Sequence, residues 1–284
     1  MSHRFDDATL SACGSTAPLA PKYTFGDNDV AAERLRHLAD AFAPSSRAFL
    51  ARLAREPIRS AVDLGCGPGH TTALVQDVTG ARTIVGLDSS PRLLARARRQ
   101  APRRIVFAEH DITSVPFPAP PADLIYGRFI LTHLAAAEQV TAAWVGAVGP
   151  HGRLALEETA GVTSDEPALA RYYELVERMQ AAHGQRMYIG RDLARLGQAA
   201  GWIVESAAME PVVLPCAVAA RLHALNFRTW RHDPFIAATV DAAELDALGA
   251  MLDQLASGAR TGAPARWQIA QVILRRASVL KGTV

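Results

Sequence analysis

The chain reads as an α/β protein: a seven-stranded, mostly parallel sheet with helices on both faces and helical cap insertions. Three observations predict it. Short apolar runs alternate with helical stretches through the middle of the chain, the rhythm of βαβ units. Longer helical segments follow the fifth and sixth of these runs. At 284 residues, 49% hydrophobic and 20% charged, the chain has an ordinary globular composition and the length to bury a large core.

Residues 1–22 mix Gly, Ser, Pro, Asp and Ala without periodicity and read as a loose arm. From Asp29 to Ala54 the apolar spacing is helical, through Val30, Leu35, Leu38, Phe42, Phe49 and Leu53. Ala43-Pro44-Ser45-Ser46 predicts a break into two helices. An exposed apolar face on them would favour a homodimer. Strands are predicted at Ser60–Leu64, Thr83–Leu87, Ile105–Ala108, Asp123–Tyr126 and Arg153–Leu156, with helices at His70–Val78, Pro91–Gln100 and Ala136–Val148 between them. Gly149-Pro150-His151-Gly152 predicts a turn into the fifth strand.

Past residue 158 the rhythm changes. Helices are predicted at Glu166–Ala182 and Arg191–Ala200, a strand at Trp202–Leu214, helical structure through most of 217–258, and a last strand at Trp267–Leu274. The predicted organisation is an arm and helices (1–56), a core (57–158), a first cap insertion (159–190), a continuation of the core (191–214), a second cap insertion (215–262), and a last strand with its tail (263–284).

Composition narrows the function. Thirty Lys and Arg against 28 Asp and Glu give a formal charge of +2, and the basic residues are spread along the chain, so no nucleic-acid surface is expected. Cys13, Cys66 and Cys216 are too few and scattered for a disulfide framework or a zinc cluster, and no metal is expected. No charged-then-apolar leader opens the sequence, and no apolar run reaches the ~18 residues of a membrane span. The expectation is a cytoplasmic protein without a membrane partner.

The segment Ala61-Val62-Asp63-Leu64-Gly65-Cys66-Gly67-Pro68-Gly69-His70 carries the most information. It is a buried strand ending in an acid, then a glycine loop, then a helix. Glycines permit tight turns and let a ligand approach the backbone with no Cβ in the way. Asp63 stands where a carboxylate could order the loop or meet an ammonium group. Ile84-Val85-Gly86-Leu87-Asp88 is a second apolar strand ending in an acid, and a right-handed βαβ unit sets the two strand ends side by side. Asp88 can then accept hydrogen bonds from both hydroxyls of a ribose. Ser89 and Ser90 cap the helix that begins near Pro91.

A nicotinamide enzyme also pairs a glycine loop with an acid after the second strand. Three details count against it. The loop is Gly-x-Gly-x-Gly, without the wider spacing suited to a pyrophosphate. The first strand ends in an acid that would repel a phosphate. The third strand ends in Glu109-His110-Asp111-Ile112, which sets a polar side chain beside an apolar wall, as an adenine ring needs.

With these motifs in order, residues 58–158 resemble the class I S-adenosylmethionine-dependent methyltransferases, whose sheet is Rossmann-like. Asp63-Leu64-Gly65-Cys66-Gly67-Pro68-Gly69 matches their first motif, Asp88 their ribose-binding acid, Asp111-Ile112 their adenine-contacting pair, and Asp123–Phe129 the fourth-strand motif beside the methyl group. The resemblance implies S-adenosylmethionine as cofactor, S-adenosylhomocysteine as product, Gly65 and Gly67 against the methionine moiety, Asp88 on the ribose and Asp111 near the adenine amino group. Asp63, Cys66, Ser89, Ile112 and Arg128 complete the expected cofactor set. Cys66 is read as a small loop residue, Arg128 as a residue that orients the cofactor or bonds to the backbone.

Ligands of open α/β sheets bind beyond the carboxyl ends of the strands. Both cap insertions follow strands that end on that side and can enclose an acceptor. Candidate bases are Tyr23, in Tyr23-Thr24-Phe25-Gly26-Asp27, and His133, in Phe129-Ile130-Leu131-Thr132-His133-Leu134, where relatives often place an active-site histidine. Phe129, Glu158, His183, Tyr188 and Trp230 are expected to line the acceptor, Trp230 with a core role as its alternative. No Asn/Asp-Pro-Pro-Tyr motif follows the fourth strand, which argues against a nucleobase. The acceptor is read as a small molecule, with an indole carbon of a tryptophan-derived bacterial natural product as the sharper expectation and O- or N-methylation of another small molecule as its alternative. A cofactor-binding protein without turnover is the reading from a different class.

Overall fold

The computed structural model describes residues 28–102 and 104–277. Its centre is a seven-stranded sheet: β1 (Ser60–Leu64), β2 (Thr83–Asp88), β3 (Ile105–Glu109), β4 (Ala122–Arg128), β5 (Val148–Ser164), β6 (Trp202–Leu214) and β7 (Ala265–Arg276), in the order β3-β2-β1-β4-β5-β7-β6. The pairs β1–β2, β2–β3, β1–β4 and β4–β5 are parallel, and β7 runs antiparallel between β5 and β6. The predicted α/β, mostly parallel sheet is therefore the one observed. The chain order switches direction between β1 and β4, which opens a crevice at the carboxyl ends of β1, β2 and β4.

On one face lie α1 (Asp29–Leu53), α2 (His70–Thr79) and α3 (Pro91–Gln100), packing Phe49, Leu50, Val75 and Leu94 on Ala61, Ile84 and Tyr126. On the other lie α4 (Ala137–Ala143) and α6 (Leu193–Ala199), with Trp144, Val140 and Leu196 on Val62, Ile125 and Leu154. Strand β1 is therefore apolar on both faces, as a central parallel strand must be.

The third layer is the cap. Helices α5 (Pro167–Ala182), α7 (Cys216–Trp230), α8 (Pro234–Thr239) and α9 (Ala242–Ser257) leave the carboxyl ends of β5 and β6, and build a separate core from Leu169, Tyr172, Leu175, Ala219, Phe227, Leu248 and Leu252. Phe42 of α1 and Trp267 of β7 join that core.

The structure corrects the sequence reading in several places. Residues 29–53 form one helix with Pro44 inside it. Proline in a helix interior forfeits a backbone hydrogen bond and costs about 3 kcal/mol. Tertiary contacts offset that loss: Arg128 donates to Ser46 Oγ at 3.0 Å and Gln271 Nε2 to Ser45 Oγ at 3.1 Å. The helix buries Ala31, Phe42, Phe49, Leu50 and Leu53 within the chain, so the exposed apolar face that would have favoured a homodimer is not there. Strand β5 spans residues 148–164, absorbing the predicted turn as an irregularity in its pairing with β4 and extending past residue 158. The first cap insertion thus begins later than predicted. Among the described residues, no helix is long and apolar enough to cross a membrane, and no group of three or more His, Cys, Asp or Glu could hold a metal ion.

Candidate active site

The loop after β1 is pinned from three sides. Gly65, Gly67 and Gly69 have φ of +63°, +53° and +87°. A Cβ on Gly65 would lie 2.8 Å from Ile130 Cγ2, so this position needs glycine for conformation and for space. The Cys66 N–H donates to Leu87 O at 2.9 Å, and the Gly67 N–H to Asp88 Oδ2 at 2.8 Å. One backbone bond and one to a side-chain carboxylate thus tie the loop to the end of β2.

Asp63 orders this loop from below. Its carboxylate is buried and accepts from Thr71 Oγ1 at 2.7 Å and Thr72 Oγ1 at 2.6 Å, both in the first turn of α2. Burial pushes its pKa up to about 6, against the pull of the two threonines and of the Arg128 guanidinium. Cys66 is a buried thiol pushed well above its ordinary range by burial and by Asp63, which suits packing and not nucleophilic chemistry.

Asp88 spends its other oxygen on the Ser90 N–H at 2.8 Å. Ser90, and not Ser89, is the helix cap, accepting from the Leu93 N–H at 3.2 Å; Ser89 is exposed in the turn. Beyond β3, Asp111 Oδ1 accepts from the N–H and hydroxyl of Thr113 at 2.9 and 2.8 Å, which shapes the loop. Ile112 lends its carbonyl to Trp144 Nε1 at 2.8 Å and turns its side chain into the apolar cluster that contains Phe117 and Ile130. The acid, the glycine turn and the apolar wall expected from sequence therefore come to one edge of the sheet.

The carboxyl end of β4 is the most constrained part of that edge. Phe129 sits at φ +56°, a conformation that costs a non-glycine residue about 1–2 kcal/mol. It is held by its N–H donating to Glu157 O at 2.8 Å, and by ring contacts with Phe42 at 5.0 Å and Trp267 at 6.5 Å. Glu158, fully buried, accepts from the Ile130 and Leu131 N–H groups at 2.8 and 2.7 Å, while its Oε2 has no partner. Burial pushes this carboxyl up to about 8. Glu158 therefore sets the turn that carries His133, more directly than it could line an acceptor. His133 lies at that turn, and burial together with the Arg34 guanidinium lowers its pKa to about 3.

Beneath them runs a polar network that the sequence reading missed. Tyr126 OH donates to Glu157, Gln271 Nε2 donates to the same carboxylate at 2.8 Å, and Arg52 donates to Gln271 Oε1 at 2.6 Å. It joins β4, β5, β7 and α1 near Pro44, and it falls on residues whose partners are remote in sequence.

Of the expected acceptor residues, Phe129 and Tyr188 face the cap core, Tyr188 half-buried with Arg191 over its ring at 4.6 Å and its phenol raised to about 12 by burial. Two are corrected. His183 is exposed and bonds Asp233 at 2.9 Å, stapling α5 to the start of α8. Trp230 is buried, packed on Phe227 at 5.0 Å and Tyr172 at 5.5 Å, with its Nε1 donating to Tyr172 OH at 3.4 Å; it is core. Tyr23 lies outside the described residues. Arg34, Tyr173 and His223 were not singled out from sequence. The signal was present: Arg34, Leu38 and Phe42 repeat at helical spacing, as do Ala219, His223 and Trp230, so a polar group interrupts each apolar stripe.

Residues 61–152 match the methyltransferase domain family. The trans-aconitate 2-methyltransferase of Methylobacterium radiotolerans is 32% identical over 217 residues, 75% of this chain and 78% of that protein. That of Methylobacterium nodulans is 38% identical over 125 residues, 44% of this chain and 45% of its own length, so the match there spans under half of the relative. Among solved structures, a candidate methyltransferase of Bacillus halodurans superposes with a TM-score of 0.56 at 14% identity, over 82% of this chain and all of that one. A Haemonchus contortus phosphoethanolamine N-methyltransferase, solved with S-adenosylhomocysteine, gives 0.52 at 14% identity, over 86% of this chain and 58% of that one. The chain belongs to the class I S-adenosylmethionine-dependent methyltransferases. Its methyl donor is S-adenosylmethionine and its acceptor a small molecule.

Proposed function

We propose that the chain methylates a carboxylate oxygen of a small unsaturated carboxylic acid of the trans-aconitate type. The observation that carries this is Arg34, a guanidinium buried inside the cap side of α1 and close enough to His133 and Tyr172 to act on the charge of both. A cation there draws an anionic acceptor to the end of β4. The names of the relatives point the same way.

The chemistry agrees with the state of His133. The bound cofactor supplies a methyl group on a positively charged sulfur. Transfer of that methyl group to a carboxylate oxygen would release no proton, so it calls for no base from this chain. A histidine held near 3 is neutral at pH 7 and a poor base, which such a reaction tolerates. An indole carbon, the sharper expectation from sequence, would need its N–H proton removed and fits this histidine less well. We assign His133 to orienting the acceptor. Asp88 holds the ribose, Gly65 and Gly67 the methionine moiety, Asp111 and Ile112 the adenine, and Arg128 orients the loop end of the cofactor. The site's main contribution is alignment, worth roughly 7–11 kcal/mol in well-oriented reactions.

The test is labelled-methyl transfer by the full chain to trans-aconitate, with indoles and phenols in parallel. Ester formation from trans-aconitate, reduced at least a hundredfold in kcat/KM by Arg34→Gln with S-adenosylhomocysteine binding retained, supports the reading. Turnover of indoles or phenols with no carboxylic acid methylated overturns it.

A further inference from the structure

We infer that Glu158 is a positioning residue for the methyl transfer: through the turn that follows β4, it fixes the walls of the crevice between β1 and β4. Of the reading above it takes only that the donor's methionine end lies at Gly65, and it holds for any acceptor. The ladder between β4 and β5 ends at the pair Arg128 and Glu157, and the Phe129 N–H donates to Glu157 O at 2.8 Å. Past that point the next two N–H groups bond to a side chain instead of a strand. Glu158 Oε1 accepts from Ile130 at 2.8 Å and from Leu131 at 2.7 Å. A fully buried carboxyl thus stands in for a strand edge, where unpaired N–H groups would be costly.

The turn reaches both sides of the crevice. Ile130 wedges between the backbones of β1 and β4: a Cβ on Gly65 would lie 2.8 Å from its Cγ2, and one on Gly127 2.5 Å from its Cδ1. Any shift of the turn therefore moves a side chain that lies against the glycine loop. Phe129, at the start of the turn, is held at φ +56° with its ring against Phe42 and Trp267 of the cap core. Such a conformation persists only where its surroundings enforce it. The cap closes on the same turn. Thr132 Oγ1 donates to Arg186 O at 2.9 Å, and a Cβ on Gly190 would lie 2.7 Å from Glu158 O. Glycine loop, acceptor wall and cap are registered at this one residue.

The geometry demands reach and not charge. Burial raises the carboxyl to about 8, so it is protonated at neutral pH, and glutamine matches it in length and charge. Aspartate, one methylene shorter, cannot hold both N–H groups with the turn in place.

The experiment measures labelled-methyl transfer by the full chain, Glu158→Gln and Glu158→Asp to trans-aconitate, indole and phenol at neutral pH. Each kcat is expressed per molecule that binds S-adenosylhomocysteine in calorimetric titration, so partial unfolding does not register, and melting temperature is recorded alongside. Glu158→Gln is expected to stay within about threefold of the wild type. Glu158→Asp should lose about tenfold to a hundredfold in kcat, with the acceptor KM and S-adenosylhomocysteine affinity held within about threefold, because a misplacement of about 1 Å can cost that much. A merely structural Glu158 would lower the melting temperature and the binding-competent fraction and leave kcat per competent molecule unchanged. That result overturns the inference, as does a glutamine variant as slow as the aspartate one. Wild-type turnover of indole or phenol without trans-aconitate overturns the carboxylate reading alone, and the same comparison on that acceptor decides Glu158.

Discussion

The Gly67 N–H donates to Asp88 Oδ2 at 2.8 Å, so the acid at the end of β2 also fixes the glycine loop of β1. Asp88 holds the Ser90 N–H with its other oxygen. An asparagine keeps one acceptor and cannot serve both donors. Asp88→Asn is expected to weaken S-adenosylhomocysteine about a hundredfold in calorimetric titration while costing only about 1–2 kcal/mol of stability in urea. Equal affinity in the variant would remove Asp88 from the cofactor site.

Gly65→Ala tests the loop itself. The new Cβ would meet Ile130 Cγ2 at 2.8 Å in a left-handed conformation. The two penalties add to about 2–4 kcal/mol, read as a lowered urea midpoint, with cofactor affinity falling alongside.

At Phe129 the usual order of substitutions should invert. Alanine normally beats glycine through the entropy of the unfolded chain. At φ +56° the Cβ penalty outweighs that advantage. Phe129→Gly should therefore be more stable than Phe129→Ala by about 1 kcal/mol, although both lose the contact with Phe42. Comparing the two urea midpoints decides it.

Stability should fall as pH rises from about 6.5 to 8. Glu158, with its ordinary value at 4.5 and its folded value near 8, keeps a proton that the unfolded chain has already released, so folding is penalised increasingly through that window. Asp63 acts in the same sense but only up to about 6. His133 and His223, held near 3 from 6.5, act in the opposite sense and destabilise the fold as pH drops below 6.5. Glu157 beside Glu158 adds to the cost of ionisation. Glu158→Gln should flatten the decline above pH 6.5, as followed by urea denaturation at several pH values. An unaltered slope would mean that another group sets it.

Much of the core was legible because its signals are local. The strand runs, the glycine loop, the acids at 63 and 88 and the proline-led helix at 91 are each written within a few residues, where periodicity and turn chemistry act. From sequence alone Asp63 can order the loop or meet an ammonium group, and only the bonds from Thr71 and Thr72 show that it does the first. His183 and Trp230 looked like ligand groups because they are rich in chemistry. Asp233 and Tyr172 use them instead to hold the cap together.

By itself, then, the sequence determined the α/β alternation, the loop between β1 and α2, and the acid that faces it across β2. Only the tertiary structure decided that the first helix runs unbroken through Pro44, since the bonds from Arg128 and Gln271 that sustain it come from strands far along the chain. It also decided which polar side chains converge under the cap. Arg34, His133, Tyr173, His223 and Trp267 come from five separate elements, and no local pattern records which buried stripes will face one another. Burial then sets their chemistry: the same low-dielectric surroundings lower both histidines to about 3 and so keep them neutral at pH 7.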